Sequence, residues 1–142
     1  MSRVLALDYG ERRIGMAVSD PTRTIAQSLP TIVRRRRRRP PYGKIIETIE
    51  EWEVDTVVVG LPIELTGEEG PPARAVREFG AGLERRAAVT VRYWDERLSS
   101  VRAERELAQL DEPVRSRSDK ERVDAMAALL ILQSYLDAQH GR

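Results

Sequence analysis

The sequence predicts an α/β protein built on a mixed five-stranded sheet, with three antiparallel strands followed by two parallel strands and helices on both faces. Short apolar runs separated by turn residues fill the first 33 positions, a pattern typical of consecutive antiparallel strands. Helical spacing then alternates with β-branched runs, which favours parallel strands joined by helical crossovers. The 142 residues are 41% hydrophobic, so we expect one core and a single domain over residues 1–142.

The three N-terminal strands are predicted from apolar runs between turns. Residues 3–8 form a short apolar run that ends at Asp8, and residues 13–19 carry a second run that can pair with it as a hairpin. Residues 24–33 supply a third strand. We expect that strand to be interrupted or to end near Pro30, because proline cannot donate a hydrogen bond to a neighbouring strand.

Residues 34–41 are predicted to form an arginine- and proline-rich loop. Six consecutive arginines, Arg34–Arg39, are followed by Pro40 and Pro41. Six like charges repel one another, and the prolines prevent a helix from starting before them. The run could bind the phosphate backbone of a nucleic acid without sequence specificity, or it could simply be a solvated loop. The sequence leaves both interpretations open.

The second half of the chain alternates helices and strands. Helical spacing of apolar residues begins at Tyr42, and the β-branched run 55–60 is typical of a central parallel strand covered on both faces. Pro71 and Pro72 can open the next helix, and the alternating segment 89–93 predicts the fifth strand. Each of the last two strands follows a helical crossover, which makes parallel pairing the expected arrangement.

Two helices are predicted to close the chain. Ser99 or Ser100 can cap the first of them. Its inward-facing residues are Val101, Leu107 and Leu110. A charged loop follows, and Ser118 or Asp119 can cap the last helix. The apolar stripe of the last helix consists of Val123, Met126, Ala127, Leu130, Ile131 and Leu132, with Tyr135 behind it.

The composition excludes several classes of site. There is no cysteine and only one histidine, which rules out a disulfide framework and argues against zinc. No apolar run is long enough to span a membrane, and the start of the chain does not have the pattern of a signal peptide. We therefore expect a cytoplasmic protein without a membrane partner. The net charge of +1 leaves nucleic-acid binding open, because a basic surface can be separated from an acidic site.

Three acids occupy comparable places in this predicted fold. Asp8 ends the first strand, Glu96 lies just past the fifth, and Asp124 lies in the first turns of the last helix. Ligands of open α/β sheets gather at the carboxyl ends of the strands, so we expect the three carboxylates to lie at one edge. Crowded carboxylates repel one another unless a cation is present, and oxygen ligands favour Mg²⁺ or Mn²⁺. Two such ions can activate water for phosphodiester cleavage.

Each acid also has a structural interpretation. An aspartate at a strand end is commonly a turn former, and one near a helix start commonly interacts with the helix dipole. Asp124 is harder to explain in this way, because it interrupts an apolar stripe directly after Val123. Gly10 and Gly15 likewise have two interpretations. They could let a backbone approach phosphate, or they could permit turn and hairpin geometry.

Four parts of the chain, in order and spanning almost the whole sequence, resemble the YqgF/RuvX family. They are Ala6–Gly10 with Arg13–Gly15 and Ala17–Asp20; Val59–Pro62; Asp95–Ser100; and Val123–Ala128 with Leu132–Leu136. The resemblance implies a ribonuclease H-like fold related to that of the RuvC resolvases. It also implies a nuclease that matures the 5′ end of the 16S ribosomal RNA precursor, in a family also described as Holliday junction resolvase-like.

The resemblance further implies a set of site residues. Asp8, Glu96 and Asp124 are the implied catalytic acids and the ligands of Mg²⁺ or Mn²⁺. The candidate substrate-binding residues are Arg97, Ser99 and Arg13, with phosphate contact expected for Arg97. Water would be the nucleophile, and cleavage would leave a 5′-phosphate and a 3′-hydroxyl.

The chain departs from the RuvC pattern at two places. RuvC-type resolvases carry an acid at the end of the fourth strand, where this chain has Gly60. They also carry two acids in the last helix, where the motif of this family keeps one. Glu121, one turn before Asp124, could supply a second ligand, or it could contribute only to the electrostatics of the helix start.

RNA, above all a ribosomal RNA precursor, is the expected partner. Ribosomal particles and branched DNA are further candidates, and we expect a monomer or a weak homodimer. The nearest alternative function is a Holliday junction resolvase, which needs two active sites and hence a symmetric dimer. A second alternative is a non-catalytic RNA- or ribosome-binding assembly factor. A third is a nucleotide phosphohydrolase of the actin-like superfamily, for which the chain is short.

Overall fold

The structure is a computed structural model, and it describes residues 2–35, 39–105 and 117–141. In chain order, the strands and helices of these residues are β1 (Arg3–Tyr9), β2 (Arg13–Ser19), β3 (Ala26–Val33), α1 (Tyr42–Glu51), β4 (Val54–Leu61), α2 (Pro71–Arg86), β5 (Thr90–Asp95), a 3₁₀ turn (Glu96–Leu98) and α3 (Arg117–Gln139). Residues 101–105 are also helical. No helix within the described ranges is long and apolar enough to cross a membrane.

The five strands form one sheet in the order β3-β2-β1-β4-β5. β1 pairs antiparallel with β2 and parallel with β4, and β4 pairs parallel with β5. The predicted mixed sheet is therefore confirmed. β1 lies at its centre, and residues 4–8 are all buried, because helices cover the sheet on both faces.

Alternation along β1 assigns its residues to two separate cores. Leu5 and Leu7 pack in the core that also contains residues of α1 and α2. Val4 and Ala6 face the opposite side and pack in the core formed with α3. Because side chains alternate along a strand, Asp8 continues the series that faces α3. Tyr9 follows the other series and packs against the α1 and α2 side.

β3 differs from the prediction at its start, and at Pro30 its pairing is interrupted without the strand ending. The strand begins at Ala26 rather than at residue 24, because the Asp20 carboxylate accepts hydrogen bonds from the backbone N–H groups of Thr24 and Ile25 and closes a turn there. It also continues through Pro30. β3 is an edge strand, and its register against β2 shifts beside Pro30. Proline is tolerated at such an edge irregularity because the missing donor is not needed.

The last helix was predicted with the wrong start and a partly wrong buried face. α3 begins at Arg117, so Asp119 lies in its first turn and is not its cap. Met126 and Leu130 are only half-buried. The buried residues of α3 are Ala127, Ala128, Ile131, Leu132, Tyr135 and Leu136.

In the helical segment that precedes α3, the Ser99 hydroxyl accepts a hydrogen bond from the backbone N–H of Val101 at 3.4 Å. The other two predicted inward-facing residues of that segment, Leu107 and Leu110, lie outside the described residues.

The prediction of a solvated arginine loop was wrong for Arg34. Its side chain is half-buried, its guanidinium lies 4.4 Å from the centre of the Tyr9 ring, and its Nη1 donates to the Gly10 carbonyl at 2.6 Å. A cation above an aromatic ring and a charge-assisted hydrogen bond together hold it in place. Arg35 and Arg39 are exposed, as expected, and residues 36–38 lie outside the described residues.

β2 and α3 approach each other most closely at Gly15. A Cβ atom at this position would lie 2.0 Å from the backbone oxygen of Asp124. Neither interpretation offered for Gly15 accounts for this contact. Glycine is required here because it allows the helix backbone to rest directly on the sheet.

We expect Gly15→Ala to lower the free energy of unfolding by about 1–3 kcal/mol, because the new methyl group would clash with the backbone of α3. Gly43→Ala is the matched control, since a Cβ at this exposed position of α1 would meet nothing within 4 Å. Gly43→Ala should leave the free energy of unfolding unchanged or raise it by about 0.5 kcal/mol. Urea unfolding of both variants measures the difference, and equal stabilities would contradict the role assigned to Gly15.

Candidate active site

Asp8 is the central residue of the candidate site. It lies at the carboxyl end of β1, faces α3, and is 6% exposed. Its antiparallel partner on β2 is Gly15. On the other side, Gly60 of β4 follows Val59, the parallel partner of Leu7. Asp8 is therefore flanked by a glycine on each neighbouring strand.

The two glycines make room for the other two acids. The backbone of Asp124 lies over Gly15, as described above. A Cβ atom at Gly60 would lie 3.0 Å from Oε1 of Glu96 and 2.6 Å from Cδ1 of Ile131. Because Gly15 and Gly60 have no side chains, Asp124 and Glu96 can approach the centre of the sheet from opposite sides of Asp8.

Glu96 is held by the short turn that follows β5. The Asp95 carboxylate accepts a hydrogen bond from the backbone N–H of Arg97 at 2.8 Å and caps the 3₁₀ turn. The Ser99 hydroxyl donates to the Glu96 carbonyl at 2.9 Å. These contacts point the Glu96 side chain inward, where it is 9% exposed.

Asp124 is positioned by α3 and by an ion pair. Nε of Arg13, at the start of β2, donates to Oδ2 of Asp124 at 2.7 Å. The two side chains are 22% and 19% exposed, so the pair is only partly screened by solvent. Arg13 therefore neutralises Asp124 and attaches the start of β2 to the helix.

Arg105 places a positive charge between Asp8 and Glu96. Its Nη2 donates to Oδ2 of Asp8 at 2.5 Å, and its Nη1 lies 3.9 Å from Oε2 of Glu96. The Arg105 side chain remains 35% exposed. One guanidinium thus serves as counter-ion for two buried carboxylates and keeps a path to solvent.

The pKa values of both buried acids are raised. For Asp8 the largest cause is burial, which the nearby Arg105 opposes and the charge of Asp124 reinforces. For Glu96 burial again raises the pKa most, and the charge of Asp8 adds to it. Burial disfavours an ionised carboxyl group, and a second anion disfavours it further. The positive charge of Arg105 does not fully compensate these two effects.

The three predicted acids do not form a ready set of metal ligands. Within residues 2–35, 39–105 and 117–141, no group of three acidic or histidine side chains is arranged to hold a metal ion. Asp8 and Glu96 share Arg105, whereas Asp124 is paired with Arg13. Glu121 lies one turn before Asp124, and its backbone carbonyl accepts from the Thr31 hydroxyl at 3.1 Å.

The candidate substrate-binding residues all make contacts within the protein. Arg97 is exposed, and its Nη2 donates to Oδ2 of Asp95 at 2.7 Å. Ser99 and Arg13 are engaged with Glu96 and Asp124, as described. In this structure Ser99 and Arg13 therefore position the acids, and Arg97 is the most accessible of the three.

Sequence reasoning did not identify Arg105 or the pairing of Gly15 and Gly60 with the acids. Arg105 is one of 22 arginines among the 24 basic residues, and no local pattern distinguishes it from the others. In the sequence, Gly60 is conspicuous only as the position where the resemblance implies an acid in RuvC-type resolvases. A signal for its role exists at the fold level, because Gly60 ends the strand next to the one that carries Asp8.

A family model described as “RuvX: Holliday junction resolvase” matches residues 2–138 of the chain. The chain belongs to the RuvX family. Three curated relatives carry the name “Putative pre-16S rRNA nuclease”. The protein of Geobacillus sp. (strain WCH70) is 45% identical over 139 residues, which cover 96% of this chain and 99% of the relative. That of Anaeromyxobacter sp. (strain Fw109-5) is 44% identical over 139 residues, covering 98% and 99%. That of Koribacter versatilis is 43% identical over 135 residues, covering 95% and 86%.

Solved structures with a similar fold include two junction resolvases. RuvC of T. thermophilus, in complex with a Holliday junction substrate, matches this RuvX chain with a TM-score of 0.59 and 17% identity, over 99% of this chain and 97% of RuvC. The fowlpox virus Holliday junction resolvase matches with a TM-score of 0.53 and 10% identity, over 96% and 99%. At these identities the likeness concerns the fold alone. It confirms the ribonuclease H-like fold that the motifs implied.

Proposed function

We propose that this RuvX protein is a metal-dependent nuclease that hydrolyses phosphodiester bonds in RNA and processes the 5′ end of the 16S ribosomal RNA precursor. The observation that carries the proposal is the pair of buried carboxylates, Asp8 and Glu96, which share one cation at the carboxyl edge of the sheet. The name of the curated relatives supports the choice of RNA. Ribosomal RNA processing would take place in the cytoplasm, on ribosomal particles or their precursors.

The donor chemistry of the site fits a hard divalent cation. Asp8 and Glu96 offer only carboxylate oxygens, which are the ligands preferred by Mg²⁺ and Mn²⁺. Their raised pKa values mean that additional positive charge would be stabilising at this position. Asp8 and Glu96 would hold the ion, and Asp124 is the candidate third ligand.

Other residues around the site would position the acids and bind the substrate. A bound divalent ion would supply charge stabilisation and activation of the attacking water in phosphodiester hydrolysis. Asp95 and Ser99 keep the turn of Glu96 in place, and Arg13 orients Asp124. Arg97 lies exposed beside Glu96 and could exchange its bond to Asp95 for a substrate phosphate, since a guanidinium matches both anions.

Asp8→Asn should lower the rate of RNA cleavage by about 10²-fold or more, because the central carboxylate would lose its charge while its shape is kept. Asp55→Asn is the matched control. Asp55 lies near the opposite end of β4 and pairs with Arg23. Single-turnover cleavage of a labelled precursor fragment by both variants measures the effect. Undiminished cleavage by a rigorously purified Asp8→Asn protein would contradict the proposed mechanism.

Arg105→Gln should tighten the binding of Mn²⁺ to the metal-free protein by about tenfold, because it removes a cation that competes for Asp8 and Glu96. Arg105→Lys keeps the charge and should bind Mn²⁺ much as the wild type does. Arg85→Gln, at an exposed position near the end of α2, controls for the loss of one positive charge elsewhere. Calorimetric titration measures the three affinities, and weaker Mn²⁺ binding by Arg105→Gln would reject the competition.

A second candidate function is the resolution of Holliday junctions, which the family description and the fold of RuvC favour. A resolvase must nick two strands symmetrically and therefore needs a dimer with two facing sites. A non-catalytic assembly factor is the remaining alternative, and it would bind RNA equally well with Asp8→Asn.

Matched RNA and four-way DNA junction substrates, incubated with the wild type and Asp8→Asn in parallel, distinguish these functions. We expect the wild type to cleave the RNA and to leave the junction without symmetric nicks, and we expect Asp8→Asn to cleave neither. Light scattering should give a monomer or a weak homodimer. Symmetric nicking by a stable dimer would instead establish the resolvase, and RNA binding without turnover by either protein would establish the assembly factor.

A further inference from the structure

A column of stacked planar side chains lies on the face of the sheet opposite Asp8. The rings of Tyr9 and Phe79 are 4.0 Å apart and nearly parallel, and Tyr42 stacks on Phe79 with centroids 5.7 Å apart. A guanidinium closes each end of the column. Arg86 lies 4.2 Å from the Tyr42 ring centre, and Arg34 lies 4.4 Å from that of Tyr9.

The Arg34 end of this column borders a groove of about 610 Å³. The walls of the groove come from the turn after β1, from Pro62 after β4, and from the first turns of α2. Its apolar lining residues are Pro62, Pro71, Pro72 and Ala75. Arg34 and the exposed Glu11 are the charged residues of the lining. Among the described residues, the groove thus combines apolar walls with the cation of Arg34 and the carboxylate of Glu11.

Arg34 is held in place by two hydrogen bonds, but one of its side-chain donors has no acceptor among the described residues. Its backbone N–H donates to the Arg12 carbonyl at 2.7 Å, and its Nη1 donates to the Gly10 carbonyl at 2.6 Å. Its Nε is buried and has no hydrogen-bond partner among the residues that the structure describes. A buried N–H donor without an acceptor is costly, and native structures rarely keep one without a reason.

The position of the groove relates it to the candidate active site. Tyr9 and Gly10, which line the groove, directly follow Asp8 in the chain. Because neighbouring residues of a strand face opposite sides, the groove and the acids lie on the two sides of the same sheet edge. A strand of RNA that crosses this edge at Asp8 would reach the groove with a nucleotide next to the cleaved bond.

We propose that this groove binds one unpaired nucleobase of the RNA substrate, stacked on the guanidinium of Arg34 at the end of the aromatic column. RNA-binding proteins commonly stack splayed-out bases on arginine planes as well as on aromatic rings. Glu11 could accept a hydrogen bond from an N–H group of the base. Exposed Arg35 and Arg39 follow Arg34 and match the charge of the adjoining phosphates. The proposal rests on RNA as the substrate of the acidic site.

The test measures the binding of short, fluorescently labelled single-stranded RNA to the full chain in EDTA, where no metal-dependent turnover occurs. Ala75→Leu fills the groove, and Ala81→Leu adds the same side chain at another exposed alanine of α2, which is not part of the lining. Ala75→Leu should raise the Kd about fivefold or more, the effect of losing one stacked base. Ala81→Leu should leave it unchanged.

An abasic nucleotide moved along the RNA identifies the bound base. At one position it should weaken binding to the wild type as much as Ala75→Leu does, and it should have no further effect on Ala75→Leu. Arg34→Lys, which keeps the charge but loses the planar group, should weaken binding at the same position. Equal affinities of Ala75→Leu and Ala81→Leu, or additive effects of the abasic nucleotide and Ala75→Leu, would overturn the proposal.

Cleavage assays with Mn²⁺ keep this result separate from the proposed nuclease activity. RNA cleavage by the wild type without any base-dependent binding would reject the groove as a binding site and leave the nuclease in place. Base-dependent binding without cleavage would reject the nuclease and leave the groove in place.

Discussion

The arrangement of the candidate site depends on the burial of like charges around Asp8. Two carboxylates lie almost out of contact with solvent, and burial raises the pKa of both. The charge of Asp8 raises the pKa of Glu96 further, and the charge of Asp124 does the same for Asp8. Arginines from distant parts of the chain balance the negative charge of these acids. Arg105 lies between Asp8 and Glu96, and Arg13 neutralises Asp124. An acidic centre whose charge is balanced by arginines is well suited to exchange one of these cations for a metal ion.

The backbone contributes to this site as much as the charged groups do. Gly15 and Gly60 leave both neighbours of Asp8 without side chains, so that a helix backbone can rest on one and a carboxylate can fold over the other. The resemblance described from the sequence implies an acid in RuvC-type resolvases where this chain has Gly60. In this chain the same space is taken by Glu96 and Ile131, which makes Glu96 the main acidic partner of Asp8 on that side.

Much of the fold could be predicted from local patterns, because the strands of this sheet are short, strongly apolar and separated by clear turns. β2 has the predicted bounds, and the parallel neighbours of β1 follow from the helical crossovers. At Pro30 the sequence predicted an interruption or an end without deciding between them, because the effect of a proline depends on whether the strand lies at an edge, which is a property of the sheet and not of the strand. The start of α3 was misplaced because several polar residues there could serve as a cap.

The acids could be proposed from the sequence, whereas their partners could not. Asp8, Glu96 and Asp124 stand at strand ends or interrupt an apolar stripe, so local context makes them conspicuous. Arg105 and Arg34 lie among many other arginines, and their contacts join residues 97 and 25 positions apart. Such long-range pairings are decided by tertiary packing. The prediction of a solvated loop failed at Arg34 for the same reason, because the loop sequence contains no sign of the Tyr9 ring beneath it.

The irregularity at Pro30 also bears on how two copies of the chain could associate. An exposed edge strand can recruit the same strand of a neighbour and extend the sheet across both molecules. β3 is such an edge, but the proline removes one donor and the register shift breaks the even spacing of the remaining groups. Continuous sheet extension through this edge is therefore disfavoured.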